Sequence, residues 1–174
     1  MFREIRILLV EDDEVEVEHI VRSFRQRHFT SQVICVNEAN EALKLLRGQE
    51  GHSPLPRPYV ILLDLHLPGI SGLEFLQSLR QDAQLKASTV FLLTASASEQ
   101  EVRKAYGLGV AGFILKDKAG EYYQHLIQML ECYLMLVSPF NNYLFLDGTP
   151  PQEAVTAPLM LSQQQLQQNF VGIS

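Results

Sequence analysis

The sequence predicts an α/β fold, a doubly wound parallel sheet of five strands with a C-terminal tail, and two observations carry that expectation. Five short apolar runs alternate with five stretches of helical periodicity. The runs are apolar at consecutive positions, as in strands that helices cover on both faces. Right-handed crossovers then wind the chain both ways from a switch point. The expected strand order is 2-1-3-4-5, the flavodoxin-like one, and sites in such sheets form beyond the carboxyl ends of the strands.

The first run, IRILLV at 5–10, leads into Glu11, Asp12 and Asp13 and then helical periodicity around 14–27. The second, QVICV at 32–36, precedes a helix around 38–47. The third, YVILL at 59–63, ends in Asp64 and breaks at Pro68, Gly69 and Gly72 before a helix at 72–81. The fourth, TVFLL at 89–93, ends in Thr94, and Ser98 to Glu101 supply a capping box for a helix at 98–107. The fifth, GFIL at 112–115, ends in Lys116 ahead of a long helix at 119–137.

A chain of 174 residues suits one domain with a sizeable core, expected over 1–137, and a tail at 138–174. A net charge of -6 and a pI near 5.3 supply no positive field for nucleic acid or an anionic membrane. No apolar run reaches the roughly 18 residues of a membrane span, and no apolar segment follows a basic start, so a soluble cytoplasmic protein is expected. Cys35 and Cys132 lack metal-ligand spacing and are expected to be reduced core residues. In the tail, the turn-rich SPFNN and DGTPPQ precede LMLSQQQLQQNFVGI, and the only charges are Asp147 and Glu153, which leaves no phosphate-binding footprint. The apolar positions of EYYQHLIQMLECYLMLV cover more than the roughly 100° stripe that packs on a sheet. That excess predicts a homodimer through the fourth helix, fifth strand and fifth helix, or a tail folded back over the same face.

Four strand ends thus aim Glu11, Asp12 and Asp13, Asp64, Thr94 and Lys116 at one edge. Each residue has a structural use as well: strand terminus, helix-start acid, helix cap, surface lysine. Their recurrence at equivalent ends favours chemistry. Clustered carboxylates repel unless a cation joins them, and hard oxygen ligands without a His or Cys cluster suggest Mg2+. A nucleophilic carboxylate accepts a phosphoryl group, and metal, amine and hydroxyl hold the charge of the transferring group.

The acidic pair, LLDLHLPGISGLEFL, LLTASAS and GFILK resemble the receiver domain of two-component response regulators over roughly residues 4–136. The resemblance implies a non-enzymatic phosphoacceptor that takes a phosphoryl group from a sensor histidine kinase on Asp64 and catalyses its own transfer and dephosphorylation. Asp12 and Asp64 would bind Mg2+ directly, Glu11 through water, with the backbone carbonyl of His66 completing the set and Asp13 outside it. Thr94 and Lys116 would contact the phosphoryl oxygens, and Phe113 falls at the switch aromatic of the family. Signalling would run through protein contacts, not DNA. The short build, the loop GQEGHSPLPRP and the long last helix are similar to small single-domain regulators paired with bacterial phytochrome kinases, which implies a photoreceptor kinase as partner.

Two positions depart from the family pattern. Asp117 follows Lys116 where proline, usually with a cis bond, is the family pattern; a non-proline cis bond costs about 2.5–4 kcal/mol, which points to a trans bond and a displaced loop, and the acid competes for the lysine charge. His66 stands where small polar residues are frequent; the imidazole either slows or redirects the attacking water or has no kinetic role. GLGVAG at 107–112 satisfies the dinucleotide pattern but follows a helix and precedes a strand, the reverse of what that fingerprint needs. His19 and His125 read as ordinary helical residues. The rivals are a haloacid-dehalogenase-type phosphatase, which needs an acid where His66 stands, and an adaptor that keeps the fold without phosphorylation.

Overall fold

A computed structural model describes residues 5–27, 31–116 and 122–137. Five strands, β1 (Arg6–Val10), β2 (Val33–Val36), β3 (Tyr59–Asp64), β4 (Thr89–Thr94) and β5 (Gly112–Leu115), alternate with α1 (Glu14–Gln26), α2 (Ala39–Arg47), α3 (Gly72–Gln81), α4 (Glu99–Gly107) and α5 (Tyr122–Val137). All strand pairs are parallel and the order is β2-β1-β3-β4-β5, as the apolar runs predict.

Consecutive apolar residues serve opposite faces of this sheet. Leu8, Val10, Ile61, Leu63, Val90 and Leu92 pack under α2, α3 and α4, against Leu43, Phe75, Leu76 and Ala105. Ile7, Leu9, Val60, Leu62, Phe91 and Leu93 pack on the other side against Ile20 and Phe24 of α1 and Leu126, Ile127 and Leu130 of α5. Every residue of β3 is buried, because β1 and β4 flank it and both helical layers cover it. Each such aliphatic side chain contributes about 1.5–3 kcal/mol on burial. The mount of Asp64 is therefore rigid.

The helices start at the carboxyl edge of the sheet, and α1, α3 and α4 carry side-chain caps there. The Asp13 carboxylate accepts hydrogen bonds from the backbone N–H groups of Val15 (2.9 Å) and Glu16 (3.3 Å) at the start of α1. Ser71 with Glu74, and Ser98 with Glu101, form capping boxes on α3 and α4. GLGVAG runs from the end of α4 through a turn at Gly109 into β5, in the order the sequence implied.

Two expectations need correction or narrowing. Cys35 and Cys132 are free but exposed, not core. Cys35 lies on the edge strand β2 beside a groove of about 760 Å3 between α1 and the start of α2, and Cys132 is on the outer face of α5. On α5, Tyr123, Met129, Tyr133 and Leu134 pack around the buried Leu126, Ile127 and Leu130, so the described apolar side chains already serve the sheet. The side chains of Tyr122, Leu136 and Val137, the Lys116–Asp117 bond and the tail with its Leu159, Leu161, Leu166, Phe170 and Val171 lie outside the described residues.

Candidate functional site

The carboxyl edge gathers the expected residues. Glu11 follows β1, Asp64 ends β3, Thr94 ends β4 and Lys116 follows β5, its N–H donating to the Thr94 carbonyl at 2.7 Å. Glu11, Asp64 and Thr94 are buried, while Asp12 is exposed at the rim. One carboxylate oxygen from each of Glu11, Asp12 and Asp64 lies within 4.8 Å of the others. Asp13 is engaged as the cap of α1 and stands outside that cluster.

Lys116 sits in the middle of the acids. Its ammonium donates to Glu11 Oε2 and lies 3.3 Å from Asp64 Oδ1 and 3.7 Å from Glu16 Oε1. Burial works to lower its pKa, but the hydrogen bond to Glu11 and the charges of Asp64, Glu11 and Glu16 outweigh that and hold it above the usual lysine value. Burial, with the charge of Asp64, holds the Glu11 carboxyl above its usual value against the pull of Lys116. Lys116 pairs with three carboxylates, those of Glu11, Asp64 and Glu16, and Asp12 adds a fourth, which leaves the cluster net negative. Three converging hard oxygens with excess negative charge suit a divalent cation of the Mg2+ or Mn2+ kind.

Two loops flank Asp64, and one carbonyl ties them. The Thr94 hydroxyl donates to Ser96 O at 2.7 Å, and His66 Nε2 lies 2.9 Å from the same oxygen, so that nitrogen carries the ring proton. The His66 backbone N–H donates to Asp64 Oδ2 at 3.1 Å. Beneath His66 and Asp12 a cleft of about 440 Å3 opens, lined also by Leu67, Ser71 and Glu101. Phe113 is half-buried against the layer of α2, α3 and α4.

Three participants escaped the sequence reading. Ser96 gives no side-chain signal, because it acts through its carbonyl. Tyr123 reaches from α5 to donate to Glu16 Oε2 at 2.7 Å. Glu16 had a signal: at i, i+4 and i+8 it shares a helix stripe with the buried Ile20 and Phe24. A charge on a buried stripe demands a partner, and Lys116 is that partner.

Residues 7–128 match the family model for the response regulator receiver domain. The chain belongs to that family. Among its relatives, the probable methanogenesis regulatory protein FilR2 of Methanothrix harundinacea is 34% identical over 128 residues, 73% of this chain and 81% of that protein. The crystal structure of the phosphorylated cyanobacterial phytochrome response regulator RcpA superposes with a TM-score of 0.70 at 29% identity, over 76% of this chain and 95% of that one. The Mn2+-bound form of response regulator Rcp1 gives a TM-score of 0.60 at 28% identity, over 83% and 97% of the two chains. For this receiver, the doubly wound fold and the regulator family are thus shown together. No helix among the described residues is long and apolar enough to cross a membrane.

Proposed function

We propose that this receiver accepts a phosphoryl group on Asp64 from a phosphohistidine of a sensor kinase. The observation that carries the proposal is the buried Asp64 carboxylate at a rigid strand end, 3.3 Å from the Lys116 ammonium and within 4.8 Å of two further acids. An Asp64 carboxylate oxygen attacks phosphorus, the bond from phosphorus to the histidine nitrogen breaks, and the departing imidazole takes up a proton. Asp12, Asp64, the backbone carbonyl of His66 and, through water, Glu11 would hold Mg2+, which would supply positive charge for the phosphoryl oxygens. Lys116 holds one of those oxygens, and Thr94 gives up Ser96 O to hold another.

The loop after β4 then moves toward Asp64 and Phe113 turns into the space vacated, changing the face of α4, β5 and α5. On that face Tyr106 and Leu115 are 55% and 59% exposed, which supports a homodimer there and signalling through protein contacts instead of DNA. A monomer in sedimentation at micromolar concentration, before and after phosphorylation, would remove the dimer. The likeness to RcpA supports a phytochrome-type photoreceptor as the kinase.

The test is transfer of labelled phosphate from phosphorylated candidate kinases. Label moves to the wild type in Mg2+, and Asp64→Asn or chelation of the metal stops it. Equal labelling of Asp64→Asn would refute the assignment of the acceptor.

A further inference from the structure

Among the described residues, Glu16 Oε1 is a buried side-chain oxygen that accepts no hydrogen bond. Its nearest described cation is the Lys116 ammonium at 3.7 Å, beyond hydrogen-bond distance. The other oxygen, Oε2, accepts the Tyr123 hydroxyl proton at 2.7 Å. Because that proton goes to a carboxylate, the Tyr123 oxygen accepts from His19 Nδ1, 3.2 Å away. A connected line therefore runs from Asp64 through Lys116, Glu16 and Tyr123 to His19 on the surface of α1.

We propose that Glu16 is a positioning residue for Lys116 and that, through Tyr123, it couples the packing of α5 on α1 to the charge at Asp64. The proposal rests on the phosphoacceptor reading above. A phosphoryl on Asp64 draws the Lys116 ammonium toward its oxygens and away from Glu16. A buried carboxylate oxygen with neither hydrogen bond nor nearby cation is costly. Rotation of Glu16 toward water relieves that cost and breaks the bond from Tyr123. Tyr123 stands in the first turn of α5 and Glu16 in the first turn of α1, so this bond ties the two helices together at their starts, beside the apolar contacts they share further along. Phe113 packs in the opposite helical layer, with α2, α3 and α4. The α1–α5 route is therefore separate from the one through Phe113.

Hydrogen exchange of the α5 amides in the full chain tests this, with acetyl phosphate and Mg2+ as phosphodonor and proteins compared at equal Asp64 phosphorylation. In the wild type, phosphorylation speeds α5 exchange by about three- to tenfold, the loss expected for one hydrogen bond. Glu16→Gln and Tyr123→Phe each cut that change below about twofold, the double variant cuts it no further, and Phe113→Ala keeps it. A phosphorylated wild type whose α5 exchange does not change would overturn the coupling, as would a full response in Glu16→Gln. Absence of any phosphoryl on wild-type Asp64 would overturn the phosphoacceptor reading and, with it, this one.

Discussion

Gly72 begins α3 directly against the end of β3, and a methyl group there would stand 2.3 Å from the Asp64 carbonyl oxygen and 2.9 Å from Leu65 Cα. Both neighbours are backbone, so the strand end that presents Asp64 must shift. Gly72→Ala is expected to cost about 1–3 kcal/mol, as overpacking does, and to slow phosphorylation by acetyl phosphate. Gly69 has a φ of +75° with open space around it, so Gly69→Ala carries backbone strain without displacing Asp64. Thermal melts and phosphorylation rates for the two variants separate the effects; equal rates would show that the close approach at Gly72 does not matter to the site. His66 makes a second prediction at this scale. Its imidazole reaches from the loop after β3 to Ser96 O after β4, while its backbone N–H donates to Asp64. Removing it in His66→Ala opens a path for water and shortens the life of the phosphorylated form by up to about tenfold. An unchanged lifetime would leave the imidazole without a kinetic role. The sequence made Asp64, Glu11, Asp12, Thr94 and Lys116 legible, since each closes an apolar run at the same edge. It hid Ser96, which works through a backbone atom, and marked Glu16 only by its place on a buried stripe, because the partner lies 100 residues away on another strand end.

Among the elements, the capping box of α4 was legible because capping chemistry is local, whereas the Asp13 cap of α1 and the Ser71 box of α3 were not read. Ser98 with Glu101 caps α4, which leaves Thr94 free of that duty. Links between helices were invisible, because they join residues remote in sequence. Arg80 of α3 donates to the carbonyls of Lys86, Ser88, Leu108 and Gly109, stitching the turn before β4 to the turn before β5. Arg47 at the end of α2 donates from Nε to Asp82 Oδ2 at 2.9 Å, just past α3. The hydrogen bond from Arg47 is the largest influence on the Asp82 carboxyl and holds its pKa below the usual value. A carboxyl with a depressed folded pKa adds stability above its unfolded pKa and loses it as pH falls through the folded one. Wild type is therefore expected to exceed Asp82→Asn by less than about 1 kcal/mol at pH 6, given the partial exposure of the pair. The gap closes below about pH 4. Melting curves across this range check it, and a gap that widens on acidification would contradict the linkage.

For the molecule as a whole, patterning decided the architecture. Runs apolar at every position left no choice but a sheet covered on both faces, and alternation with helices forced parallel strands. The strand order followed as the expected winding, and the carboxyl edge followed from the order. Side-chain exposure was harder to foresee. Cys35 is uncovered because edge strand β2 borders the open groove beside α1, and the excess of apolar residues on α5 is taken up in large part by its own sheet-facing cluster. We propose that this architecture serves to present one carboxylate, Asp64, for phosphorylation. Intact mass after treatment with acetyl phosphate and Mg2+ tests it most directly: the wild type is expected to gain one acid-labile phosphoryl group and Asp64→Asn none. An unmodified wild type, or an equal gain in Asp64→Asn, would contradict it.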